Sequence, residues 1–160
     1  MSIVLCNACD YKSYMAEFYE EYNKLLVQVD PEIEACLAMQ NYDEEIAQLE
    51  KKFAPPHNGI FIALCDGEAA GCVGFKYFAP GICELKRLYV RDKFRHYGIG
   101  KLLCEEMFDA AREAGYKKMY LDTLPGLESA VRLYRRLGFY EIEKYYPNPV
   151  NKAIYMCYDL

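Results

Sequence analysis

A chain of 160 residues, 53% apolar and 15% aromatic, is long enough to bury a core as one domain, expected to span residues 1–160. Its net charge of −5 and pI near 5.2 argue against a nucleic-acid binder, which would present a basic face. No run approaches 18 consecutive apolar residues, and the start Met1-Ser-Ile-Val-Leu-Cys-Asn7 lacks the regions of a signal peptide, so a cytoplasmic protein with no membrane partner is expected.

Ile3 to Cys6 reads as a short strand, and Asp10 as the cap of a helix running to about Val27. Pro31 to Met39 reads as a helical turn or short helix. Asn41 with Glu44 makes a capping-box-like start for a helix to about Phe53, where Pro55-Pro56 stops it. Ile60 to Cys65 and Ala69 to Phe78 flank Asp66-Gly67, a hairpin signal, and Pro80-Gly81 turns the chain into a strand from Cys83 to Val90. On a regular strand Glu84, Lys86, Leu88 and Val90 share a face; a bulge would reverse that assignment.

From Ile99 the apolar positions 99, 102, 103, 107, 110, 111 and 114 follow helical spacing, and Gly115 supplies the stop. Lys118 to Asp122 reads as a strand, and positions 127, 130, 131, 134 and 137 mark a helix ending at Gly138. A crossover helix between two strands implies a parallel pair, so the sheet is mixed and the class α/β. Tyr140 to Tyr145 and Ala153 to Leu160 complete it.

Eight cysteines in a chain of this size without an export signal read as free thiols. Cys6-Asn-Ala-Cys9 is a lone C-x-x-C without a second pair at zinc spacing, and His57 and His96 lie far apart, so no metal is expected. Charge is unevenly spread: between Glu84 and Lys101 six Lys or Arg face two acids, a local +4 that leaves the rest of the chain at −9. A basic patch suits an anionic cofactor, and an acidic remainder suits a cationic amine.

That patch contains Arg95-His96-Tyr97-Gly98-Ile99-Gly100-Lys101, where a strand leads through two glycines into a helix. Glycines at positive φ turn backbone N–H groups inward, and a helix start adds unpaired N–H groups and the positive end of its dipole, which together make a phosphate cradle. A Walker A loop would need glycine at Arg95 and Ser or Thr at Leu102, and a dinucleotide fingerprint would need glycine at Leu103.

The segment resembles the cofactor-binding motif [RQ]-x-x-G-x-[GA] of the GNAT superfamily of N-acetyltransferases, filled by Arg95, Gly98 and Gly100. Leu121-Asp-Thr123 and Ala130-Val-Arg-Leu-Tyr134-Arg-Arg-Leu-Gly138-Phe139 extend the match over most of the chain. The stretches ELKRLYV, LDTLPGLESA, LYRRLGF and YYPNPVNKAIYMCYDL look like one bacterial subgroup whose acceptors are mostly unassigned.

The resemblance implies a GNAT fold, a mostly antiparallel twisted sheet of six or seven strands flanked by about four helices. It also implies acetyl-CoA as co-substrate, with backbone groups of Leu88, Tyr89 and Val90 pairing with the pantetheine arm and Arg95 to Lys101 holding the pyrophosphate. Glu84 falls where several members carry a glutamate base, and Tyr134 matches the family's proton donor to the departing thiolate. A backbone N–H near Tyr89 or Val90 would stabilise the oxyanion. Many relatives carry asparagine where this chain has Leu127.

In this fold the acceptor pocket forms between the N-terminal helices and the last strands, offering Tyr19, Tyr22 and Gln40 on one side and Tyr145, Tyr146 and Asn148 on the other. The expected activity is transfer to a small-molecule or peptide amine by direct attack in a ternary complex, by a monomer or homodimer. A ping-pong route through Cys83 or Cys104, and a non-catalytic acyl-CoA-binding module, are the alternatives.

Overall fold

A computed structural model describes residues 1–38 and 40–160. Apolar alternation and turn chemistry produce seven strands: β1 (Ile3–Asn7), β2 (Gly59–Cys65), β3 (Glu68–Ala79), β4 (Ile82–Val90), β5 (Lys118–Thr123), β6 (Tyr140–Ile142) and β7 (Ile154–Asp159). They form one sheet in the order β1-β2-β3-β4-β5-β7-β6, antiparallel throughout except at β4–β5. Asp66 and Gly67, both at positive φ, make the tight turn between β2 and β3 that the Asp-Gly signal predicts.

The six helices among the described residues are α1 (Lys12–Val29), α2 (Glu34–Ala38), α3 (Tyr42–Ala47), α4 (Leu49–Lys52), α5 (Ile99–Glu113) and α6 (Glu128–Leu137). The helix predicted over 41–53 is two pieces, α3 and α4, separated at Gln48. The Asn41 side chain accepts from Glu44 N–H at 3.0 Å as predicted. Asp10 does not cap α1: a 3-10 turn, Ala8–Tyr11, precedes it, and Asn7 caps that turn through Cys9 N–H. Of the predicted turn at Pro31 to Met39, residues 31–38 form a 3-10 turn and α2, and Met39 lies outside the described residues.

One side of the sheet packs on α5 through Leu85, Val73, Phe75 and Met119, and the other on α1, α3 and α4 through Ile60, Ile62 and Cys72. The buried stripe of α5 is Ile99, Leu103, Cys104, Met107, Phe108 and Ala111; Leu102, assigned to it by spacing, is exposed. α5 and α6 end alike. Tyr116 N–H reaches Ala111 C=O and Phe139 N–H reaches Tyr134 C=O, around Gly115 and Gly138 at positive φ. In α6 this closure also sets Phe139 edge-on against the Tyr134 ring at 5.5 Å, which fixes that tyrosine.

The predicted strand Tyr140 to Tyr145 ends at Ile142. Residues beyond it leave the edge of the sheet and swing back over β5 and β7, carrying Tyr145 and Tyr146 with them. No helix is long and apolar enough to cross a membrane among the described residues.

Candidate active site

β4 and β5 pair at three positions only, Ile82 with Lys118, Cys83 with Met119 and Glu84 with Tyr120, and then separate. The cause lies in β4. Register with β3 runs Gly74–Lys86 and then Cys72–Tyr89, so two residues, Arg87 and Leu88, stand opposite one, and Arg87 sits at φ +60°. Such a bulge bends its strand. It also breaks the regular alternation: Leu88 and Val90 join the α5 face, while Glu84 and Lys86 remain on the opposite one. Gly71 faces the bulge, where a Cβ would lie 2.5 Å from Tyr89 C=O.

The bulge is tied down by a network that sequence does not reveal. The Arg87 guanidinium makes two hydrogen bonds to the Glu45 carboxylate of α3, at 3.0 and 3.1 Å, between the Tyr19 and Tyr42 rings. Burial would raise the Glu45 carboxyl, but the hydrogen bonds and charge of Arg87, with Lys76 at 3.2 Å, outweigh it and hold it at about 2.

The separation opens a cavity of about 970 Å³ between the strands, lined by α5 and α6 and, from the other face, by Tyr22, Leu25 and Val29 of α1. Leu88, Tyr89 and Val90 line one wall, and Arg95, His96, Gly98, Ile99, Gly100 and Lys101 line another. Gly98, at φ +75°, has nothing within 4 Å of where its Cβ would be. The first helical bond of α5 is Leu102 N–H to Gly98 C=O, so the N–H groups of Ile99, Gly100 and Lys101 face the cavity without backbone partners. Arg95 is held to Val90 C=O at 3.3 Å and to Asp92 at 3.1 Å. Tyr97 does not line the cavity; its side chain is 53% exposed.

Tyr134 reaches the same cavity from α6, 5% exposed and with no hydrogen-bond partner for its hydroxyl among the described residues. Burial pushes its pKa well up, and Tyr22, Cys104 and Asp122 add to the shift. Arg132 and Arg136, one turn apart on α6, also line the cavity and were missed from sequence; their spacing on the face that carries Tyr134's neighbours was the available signal.

On the opposite face the sheet presents two carboxylates among tyrosines. Glu84, 8% exposed, accepts from Lys86 Nζ at 2.6 Å and from the Tyr145 hydroxyl at 2.5 Å. Asp122 accepts from the Tyr146 hydroxyl at 2.8 Å and the Asn148 amide at 3.2 Å. Tyr145 packs against Tyr120 at 4.7 Å, Phe78 at 5.1 Å and Tyr155 at 5.4 Å. Burial, then the adjacent carboxylate, pushes both the Tyr145 and Tyr146 hydroxyls up. Sequence reading did not single out Asp122, although alternation along β5 places it with Tyr120, and the parallel pair places Tyr120 beside Glu84.

A backbone-lined cradle and a carboxylate face meet at one opening between parallel strands, and residues 12–139 of the chain match the family model of the acetyltransferase (GNAT) family. The chain belongs to the GNAT acetyltransferase family. An uncharacterized N-acetyltransferase of Schizosaccharomyces pombe is 40% identical over 92% of this chain and 85% of its own length. Another, of Dictyostelium discoideum, is 48% identical over 84% of this chain and 92% of its own. In fold, the acetyltransferase is similar to the PaiA N-acetyltransferase of Thermoplasma acidophilum, solved in complex with coenzyme A, with a TM-score of 0.71 and 17% identity over the whole of both chains.

In this acetyltransferase the expected acceptor residues divide into separate groups. Tyr145, Tyr146 and Asn148 meet around Glu84 and Asp122. Tyr22 instead lines the cavity between the strands from α1, 6.0 Å from the Tyr89 ring, and burial pushes its hydroxyl up to about 12. Tyr19 is packed against Arg87 and Tyr42 with its hydroxyl unpaired, and Gln40 is exposed between α2 and α3. Leu127, at the start of α6, is buried and lines the cavity with an apolar surface where an asparagine was expected. The Cys83 and Cys104 thiols are both pushed up to about 12, chiefly by burial.

Proposed function

We propose that this enzyme transfers an acetyl group from acetyl-CoA to a primary amine by direct attack in a ternary complex. The observation that carries the reading is the split between β4 and β5: backbone N–H groups free on one side, a carboxylate on the other, and an unpartnered tyrosine hydroxyl at the opening. The residues fit the cofactor. A cavity of about 970 Å³ ends at a helix N-terminus whose amides suit a pyrophosphate, and Lys101, Arg132 and Arg136 add positive charge around it. The PaiA neighbour, of the same fold, was solved with coenzyme A.

Acetyl-CoA supplies the acetyl group as a thioester. Leu88 to Val90, unpaired toward β5, offer backbone groups to an amide-bearing arm, and an N–H near Tyr89 or Val90 stabilises the oxyanion, an effect worth roughly 3 to 4 kcal/mol elsewhere. An alkylamine arrives protonated, so Glu84 takes its proton directly or through water. Tyr134 donates to the departing sulfur; its raised pKa keeps the hydroxyl protonated until then. Direct transfer is favoured over an acyl-cysteine because thiols held near 12 are almost wholly protonated at neutral pH.

Thermal unfolding with acetyl-CoA, against AMP and NAD as controls, tests the reading. At 100 times Kd the cofactor adds about 2.7 kcal/mol, a shift of several degrees. A shift specific to acetyl-CoA followed by amine acetylation is the expected result. No shift at millimolar cofactor overturns the proposal, and a shift without turnover on a broad amine panel favours a non-catalytic acyl-CoA-binding module.

A further inference from the structure

The two carboxylates of the tyrosine face are compensated differently. Glu84 is buried and already carries a cation, Lys86 at 2.6 Å. Asp122 remains partly open to solvent and has neutral donors alone, the Tyr146 hydroxyl and the Asn148 amide. No ion pair among the described residues includes it. The donors are themselves fixed: Asn148 Nδ2 also lies 2.8 Å from the Tyr146 hydroxyl, and its Oδ1 accepts from Val150 N–H at 2.9 Å.

Asp122 belongs to the reacting opening rather than to the outer surface. The next residue on β5, Thr123, lines the cavity together with Tyr22 and Tyr134, and Tyr134 is a buried tyrosine whose hydroxyl has no protein partner among the described residues. The rings of Tyr145, Tyr146 and Tyr155 stand within 6.0 Å of one another beside it, and aromatic faces attract a cation. Once an acceptor has displaced water from this opening, an anion held only by neutral donors stays charged at a cost that a facing cation removes. The reacting amine cannot be that cation, because it must lose its proton before it attacks.

We infer, resting on the N-acetyltransferase reading, that Asp122 anchors a positive charge which the acceptor keeps throughout the reaction. The acceptor is then a dication at neutral pH, a diamine or an amine bearing a guanidinium, with its reacting nitrogen at Glu84. Spacing supports this division. Asp122 lies two residues beyond Tyr120, the partner of Glu84, which sets the two Cα atoms about 8 Å apart on one face, the reach of a short alkyl chain.

Calorimetric titration of the CoA-saturated protein tests it with cadaverine and agmatine against aminopentanol, whose chain is comparable but which carries one charge fewer. At least one dication is expected to bind ten-fold or more tightly than aminopentanol, and Asp122→Asn to close that gap. Equal affinities in the wild-type protein, no binding by either dication, or a gap that survives Asp122→Asn in a variant that still binds CoA would each overturn the inference. Failure of CoA itself to bind would instead strike the acetyltransferase reading, so the two failures are distinguishable.

Discussion

The two sides of the cleft are made of different material. On the α5 side the groups presented to the cavity are backbone amides at Gly98 and the start of a helix, and the side chain of Tyr97, inside the motif, is exposed. On the tyrosine side the groups presented are side chains from β4, β5 and the segment after β6, each held by another side chain. Backbone sites depend on a few conformations, whereas side-chain sites depend on every partner present.

Substitutions on the two sides should therefore change different measured quantities. The largest effect is expected beneath the bulge: Glu45→Ala leaves Arg87 buried and unpaired and should lower stability by about 3 to 5 kcal/mol in denaturant unfolding. The pair also sets an acid limit. The Glu45 carboxyl is depressed from 4.5 to about 2 in the folded protein, so its contribution is fully present above about pH 4.5 and is lost as pH falls toward 2. Glu45→Gln should flatten the pH dependence of stability in that window, and an unchanged slope would remove Glu45 from the account.

Next come the two proposed proton carriers. Glu84→Gln and Tyr134→Phe should each lower kcat about 10²-fold while acetyl-CoA affinity changes less than two-fold. Wild-type turnover in both variants would withdraw those roles. Gly98→Ala, forced to φ +75°, should cost about 1 kcal/mol and weaken acetyl-CoA binding several-fold with kcat kept, the reverse pattern. The smallest effect is expected at Tyr97→Ala, less than two-fold in any constant; a larger one would show that the loop works through its side chains.

How much was legible follows the same division. The cradle could be read because its chemistry is local: Arg95, Gly98, Gly100 and the helical stripe that follows are neighbours in sequence, and φ preferences and helix ends act over a few residues. The expected cofactor residues, Leu88 to Val90 and Arg95 to Lys101, accordingly fall on the cavity, apart from Tyr97. The expected acceptor residues come together only in part. Tyr145, Tyr146 and Asn148 do converge, but Tyr19 and Gln40 do not join them, because nothing local distinguishes a tyrosine that packs from one that faces a cleft. Face parity on β4 failed for Leu88 and Val90 since the bulge at Arg87 is held from outside the strand, by Glu45 of α3, 42 positions earlier in the chain.

The sequence by itself determined the elements and their ends: the Asp66-Gly67 hairpin, the Asn41 cap, the Gly115 and Gly138 closures, and the glycine cradle. Each is a matter of dihedral preference or of a hydrogen bond between near neighbours. The tertiary structure alone decided that β4 and β5 part after Glu84, that Arg87 is pinned between two tyrosines, and that Asp122 shares a face with Glu84. Those depend on contacts between residues far apart in the chain, where burial and charge pairing, rather than local propensity, fix the lower free energy.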